Sequence, residues 1–171
     1  LGVIFRMSET EKVTVLGFEM ARTPMISYVT AAAFILIAII TPLISGVADY
    51  LGNKKVFMKF FCYLGGLACI GLYWFDLDHL YMGLFFYFLG VVGFWVSFAV
   101  NNSYLPDIAY PEQQDRVSAR GFSLGYIGSV ILLLINLAMV LEPAFFGITD
   151  RPGHPAEVQA MQYSFVSVGL W

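Results

Sequence analysis

Asp49, Lys54 and Lys55 carry the first chemistry visible in the sequence, in the run Gly46-Val47-Ala48-Asp49-Tyr50-Leu51-Gly52-Asn53-Lys54-Lys55 between two apolar stretches. The chemistry is electrostatic: charge and a tight turn lie where a helix leaves hydrocarbon and another enters it. Gly52 can take a left-handed conformation that reverses the chain without a Cβ clash, and the lysines hold the turn in water. Gly46 and Asp49, three apart, share one face of the outgoing helix end. A second polar constellation follows between 101 and 120, with Asn102, Pro106, Asp107, Asp115, Arg116 and Arg120. Asp107 stands beside a span end with Arg116 and Arg120 across the same polar stretch, and with Asp49, Lys54 and Lys55 these are expected to form one interfacial charge cluster.

Other constellations fail on context. Gly121-Phe122-Ser123-Leu124-Gly125 has the G-x-S-x-G spacing of a nucleophile elbow, which requires a preceding strand and a histidine and acid within reach. Ser123 instead opens an apolar run, and the two histidines, His79 and His154, fall in loops that alternation places on the opposite membrane side. Enzymatic function is therefore not expected. No Cys/His cluster has zinc spacing and no glycine-rich phosphate loop occurs, so neither metal nor cofactor is expected. Cys62 and Cys69 sit seven apart in one apolar run, about 10 Å along a helix axis, too far for a disulfide; they read as packing residues.

The elements that position these groups are set by hydropathy. Of 171 residues 59% are hydrophobic and 12% charged, against about 25% charged in soluble domains, and the mean hydropathy is +0.76. The lipid bilayer is thus the first partner. A net charge of −3 and no basic, aromatic-interleaved patch argue against nucleic acid. No signal-peptide pattern opens the chain, which starts at Leu1 and closes inside the apolar run Val166 to Trp171, and it reads as a fragment of something longer.

An all-α membrane fold is expected, with apolar runs at 27–46, 56–75, 80–100 and 121–141 each about one bilayer in length and 163–171 beginning a further span. Between them lie an outer hairpin or irregular loop at 1–26, cytoplasmic loops at 47–55 and 101–120, an outer turn at 76–79 and an outer loop at 142–162. Lys54, Lys55 and Lys59 crowd one short loop, which places that side in the cytoplasm. Pro42 is expected to kink the first run and free a carbonyl, with the Thr41 or Ser45 hydroxyl as its partner. Gly83 and Gly90, with Gly93 and Ser97, give the third run a small-residue packing face, and Gly121, Gly125, Gly128 and Ser129 give the fourth another. Asn136 is the one strongly polar side chain inside a span; it is a candidate either for an interhelical hydrogen bond or for a substrate-cavity contact. No Asp, Glu, His, Lys or Arg lies in the interior of the four complete spans, so a proton carrier would have to stand elsewhere.

The 46–55 turn resembles the loop between the second and third helices of major facilitator superfamily transporters through Asp49, Gly52, Lys54 and Lys55 with Gly46 upstream; Tyr50 and Asn53 depart, standing where most of that superfamily has arginines. Asn102, Leu105, Pro106, Asp107, Ile108 and Ala109, then Asp115, Arg116, Val117, Ser118, Gly121, Leu124, Gly125 and Tyr126, are similar to the vacuole-effluxer-like branch, Asn101 departing from its tyrosine. The resemblance implies helices two to five, and the start of six, of a major-facilitator-type bundle whose first helix and C-terminal half are absent here and are its partners. It implies secondary-active transport of a small polar solute, an amino acid by family analogy, by alternating access, in a bacterial cell (inner) membrane. It also implies that the charge cluster is a cytoplasmic gate. The alternative is a membrane interaction or assembly protein on the same scaffold without transport.

Overall fold

A computed structural model describes residues 12–15, 18–75, 80–150 and 155–171. The outer turn expected at 76–79, with His79, and His154 lie outside the described residues. Two short strands, β1 (Lys12–Val15) and β2 (Phe18–Ala21), pair antiparallel from Lys12 opposite Ala21 to Val15 opposite Phe18. This hairpin is the only departure from helix of any regularity among the described residues, and it leads directly into α1 (Arg22–Leu51). Then come α2 (Lys54–Gly71) with a 3₁₀ turn at Leu72–Trp74, α3 (Leu80–Ile108), α4 (Pro111–Leu141), a second 3₁₀ turn at Pro143–Phe146, and α5 (Ala156–Leu170). Four of these helices are long and apolar enough to cross a membrane.

α1, α3, α4 and α5 outrun the apolar runs, whereas α2 gives way to the 3₁₀ turn before its run ends. Residues 101–120, expected as a loop, are helical on both sides of Ala109 and Tyr110, because a helix satisfies its own backbone wherever it ends relative to lipid. What stops α3 and starts α4 is local: Tyr110 is extended (φ −63°, ψ 150°) ahead of Pro111, which occupies the first helical turn, where its missing N–H costs nothing. Similarly, α5 begins at Ala156, ahead of the apolar stretch at 163. Gly147 closes the second 3₁₀ turn at φ +74°.

α2 is the centre of the bundle. It packs chiefly on α3 and then on α5; α1 packs mainly on α3, and α4 leans on α5 while scarcely touching α3. Two adjacent glycines make this possible. A Cβ on Gly93 would stand 2.6 Å from the Gly65 nitrogen, so the α2 and α3 backbones are in direct contact, and one on Gly169 would stand 2.6 Å from the Gly66 oxygen, the equivalent contact with α5. Successive helical residues point about 100° apart, so Gly65 and Gly66 serve two different neighbours. Close backbone packing of this kind replaces the hydrophobic drive that helices in lipid lack.

Two clusters flank that crossing. Met25, Leu72, Phe75, Leu80, Leu84 and Met161 fill one end, where Gly83 has no Cβ because the Phe75 ring occupies its place. Ala33, Phe61, Val92, Val96 and Val100 fill the other. The Thr30 and Tyr87 hydroxyls meet at 3.0 Å and tie α1 to α3. Large apolar side chains elsewhere point outward, most of all on α4, where Met139 alone is buried, as befits surfaces solvated by lipid or by further helices.

Candidate functional site

The α1–α2 turn is built by Gly52. At φ +64° it lets the Asn53 N–H reach the Ala48 carbonyl (3.3 Å) while its own N–H reaches the Asp49 carbonyl (3.2 Å), the paired bonds of a Schellman motif. This closure carries the chain in two residues from the end of α1 to Lys54 at the start of α2. Lys54 Nζ then lies 2.7 Å from Asp49 Oδ1 and 3.0 Å from Asp107 Oδ2, and donates to the Ser103 carbonyl at 2.9 Å. An ammonium has three protons, and all three are placed. One side chain therefore ties the last turn of α1, the first turn of α2 and the last turns of α3 together.

Helix dipoles explain the arrangement. Asp49 and Asp107 occupy helix C-terminal ends, which disfavour anions and in this chain carry no basic residue of their own. Both carboxylates are turned to the N-terminal end of α2, which has no side-chain cap of its own from Asn53. Lys54 is mostly covered (13% exposed), whereas Asp49 and Asp107 keep 57% and 47% of their surface in contact with solvent. Pairs this exposed are worth about 0–1 kcal/mol each, so the clamp can be opened.

Only part of the expected charge cluster assembles. Asp49, Lys54 and Asp107 come together. Lys55, Asp115, Arg116 and Arg120 are exposed and, among the described residues, make no ion pair, because α4 diverges from α3 after the 109–110 turn. Gly46, Asn102 and Pro106 are exposed as well, and a Cβ on Gly46 would meet nothing within 4 Å. The Ser103 carbonyl is a partner that sequence reading missed, since a main-chain acceptor has no residue signature.

The small faces differ from one another. Gly90 lies in the α2–α3 seam at an ordinary 3.8 Å from the Ala68 Cβ, and Gly83 packs on the Phe75 ring beyond the end of α2. Gly121 and Gly125, expected in a packing seam, have nothing within 4 Å of a Cβ, and only Gly128 is covered, by Trp171. They line instead an open groove of about 680 Å³ between α3 and α4, with Phe94, Trp95, Phe98 and Tyr126. Asn136 is half-buried and its Oδ1 accepts from Ser167 Oγ at 2.8 Å, so it joins α4 to α5. The Thr41 hydroxyl, one of the two expected partners for the carbonyl freed by Pro42 beside Ser45, is buried without a hydrogen-bond partner.

Four membrane-length helices, with charged side chains confined to their ends and joined there by the Lys54 clamp, define a multi-pass integral membrane protein. Residues 6–171 match the family described as vacuole effluxer Atg22 like, and the chain belongs to that family, within the major facilitator superfamily. It is similar to the uncharacterized MFS-type transporter YxiO of Bacillus subtilis (strain 168), with 31% identity over 150 residues, covering 87% of this chain and 34% of that relative. The chain thus spans about a third of the length of the curated relative it matches. No solved structure matches it.

Proposed function

We propose that this chain is part of a secondary-active transporter that moves a small polar solute, with amino acids as the first class to test, by alternating access in a bacterial cell membrane. The observation that carries this reading is the Lys54 clamp, in which one mostly covered side chain holds three helix ends through contacts weak enough to break. In this reading the clamp end is cytoplasmic, in line with the density of Lys54, Lys55 and Lys59. Asp49, Lys54 and Asp107 then act as a latch whose release accompanies opening of the mouth. Gly46 and Gly52 shape its turn, and Asn102 and Pro106 carry its α3 side. Lys55, Asp115, Arg116 and Arg120 are the groups left to engage parts of the transporter beyond residue 171. The open groove beside Gly121 and Gly125 is a seat for another helix of the same protein.

The test uses the full-length protein in liposomes, with binding and uptake of radiolabelled amino acids followed separately. Asp49→Asn and Asp107→Asn are expected to keep solute binding and to lower the transport rate about tenfold, the effect of about 1.4 kcal/mol on the balance of states. Unchanged transport in both variants, singly and combined, removes the latch. A membrane-impermeant thiol reagent that labels Asn53→Cys from outside intact cells reverses the orientation.

A further inference from the structure

Pro42 has no N–H to give, so the Ala38 carbonyl four residues earlier in α1 loses its usual donor. Thr41 stands three residues after Ala38. Threonine in a helix divides between two χ1 rotamers because its hydroxyl can bond the carbonyl three or four residues back. Thr30, in the same helix, does this: its Oγ1 donates to the Ile26 carbonyl at 2.6 Å. Ser129 and Ser164 do the same with Gly125 and Ala160. Thr41 does not, and its Oγ1 is buried with no partner. A hydroxyl without a partner and a carbonyl that has lost its usual helical donor are therefore three residues apart in one membrane helix.

Separate polar contacts hold α1 on either side of Pro42, while Ile40 and Ile44 pack on one apolar cluster across it. On the N-terminal side the Thr30 hydroxyl meets Tyr87 of α3, and on the C-terminal side Asp49 is held by Lys54. Thr41 and Pro42 lie between these anchors, and Gly46 beyond them has open space around it. Back-bonding by a threonine hydroxyl bends a helix, and proline is the commonest site of a sharp kink. We propose that Thr41 and Pro42 form a two-state hinge in α1. With the Lys54 clamp closed, the hydroxyl stays unpartnered, as seen here. When the clamp releases, the C-terminal segment of α1 pivots and Thr41 Oγ1 turns onto the Ala38 carbonyl, giving the bent state a hydrogen bond that the clamped state lacks. Opening the latch is thereby offset within α1 itself. The hinge rests on the transport reading only for its purpose, since the bend can be measured without transport.

The segment from Pro42 to Tyr50 is about 12 Å long, so a bend of roughly 20–30° moves its end by roughly 4–6 Å. Spin labels at Tyr50 and Gln113, both exposed, in the full-length transporter with native cysteines replaced, read that movement as a distance distribution. Labels at Ser27 and Glu142, at the other end, serve as the control. Two populations are expected for the first pair and one for the control. Thr41→Val, which keeps the shape and deletes the hydroxyl, and Pro42→Ala, which restores the donor to Ala38, should each collapse the two into one. Thr41→Ser should keep both and shows that the labelled protein is folded. A single population in the parent, or two populations surviving in Thr41→Val, overturns the hinge. If Lys54→Gln leaves the populations unchanged while Thr41→Val collapses them, the hinge stands and the latch reading fails.

Discussion

Ser167 Oγ donates to Asn136 Oδ1 over 2.8 Å while also lying 2.8 Å from the Ser164 carbonyl, so one hydroxyl proton is shared between a helix neighbour and the α4–α5 contact. Because α4 buries only Met139 in this bundle, that contact matters more than its small energy suggests. Asn136→Leu and Ser167→Ala should each lower unfolding stability by about 0.6–2 kcal/mol. The double variant should lose little more than the larger single one, as expected of partners in one bond. Denaturant unfolding in detergent micelles measures this. A changed solute preference in Asn136→Leu at normal abundance would move Asn136 from joining helices to lining the solute cavity.

Lys54 offers a second test. Lys54→Met removes two ion pairs and one hydrogen bond to a carbonyl, but its former carboxylate partners remain in contact with solvent. The expected loss is small, less than for a buried charge left unpaired. Raising salt from low concentration to about 1 M should narrow the gap between the parent and Lys54→Met. Thermal unfolding at the two salt concentrations reads both effects, and a gap that salt leaves untouched would show that Lys54 acts through packing of its stem.

Gly93 and Gly125 should respond oppositely to alanine. The added methyl at Gly93 would meet the Gly65 nitrogen at 2.6 Å and the Phe61 oxygen at 2.8 Å, both backbone atoms that cannot rotate away. Gly93→Ala should therefore cost about 1–3 kcal/mol, and Gly169→Ala a similar amount. Gly125→Ala meets nothing in the described bundle and should gain up to about 1 kcal/mol of helix propensity. Gly125→Leu in the full-length protein tests whether the groove seats another helix: reduced folded yield on size-exclusion chromatography is expected, and unchanged yield would leave that face to lipid.

Glycines with a left-handed backbone form the fourth test. Gly52→Ala and Gly147→Ala place a Cβ at φ +64° and +74°, costing about 1–2 kcal/mol each without any steric contact. Gly46→Ala, at a helical position with open surroundings, should be neutral or slightly stabilising. Thermal unfolding of the three variants separates backbone conformation from packing.

Much of the clamp was legible in the residues. A glycine three positions after Asp49 and two before Lys54, between apolar runs, can hardly do anything other than close a helix and present the pair. Asp107 was legible only as a nearby charge, and the absence of Arg116 and Arg120 from the clamp was not legible at all. Hydropathy locates lipid, while the splay of α4 away from α3 is decided by which helices pack, a long-range choice. The same blindness applies to Gly65 and Gly66. They form an unremarked pair in one apolar run, and their importance appears only when Gly93 and Gly169 are brought against them. Several helices run past the apolar stretches that announce them, because polar residues leave the bilayer without leaving the helix, whereas α2 ends at Gly71, before its apolar run does.

The contact between Gly66 and Gly169 also has a schedule. Gly65 meets a helix that follows it almost at once, but the partner of Gly66 is 103 residues later (169 − 66), which at about 5–20 residues per second is roughly 5–20 s of synthesis. Throughout that interval the face of the central helix around Gly66 is uncovered, open to the translocation machinery or to any passing small-faced helix. The nascent protein therefore carries a temporary vacancy at its centre that its own last described helix must arrive in time to fill.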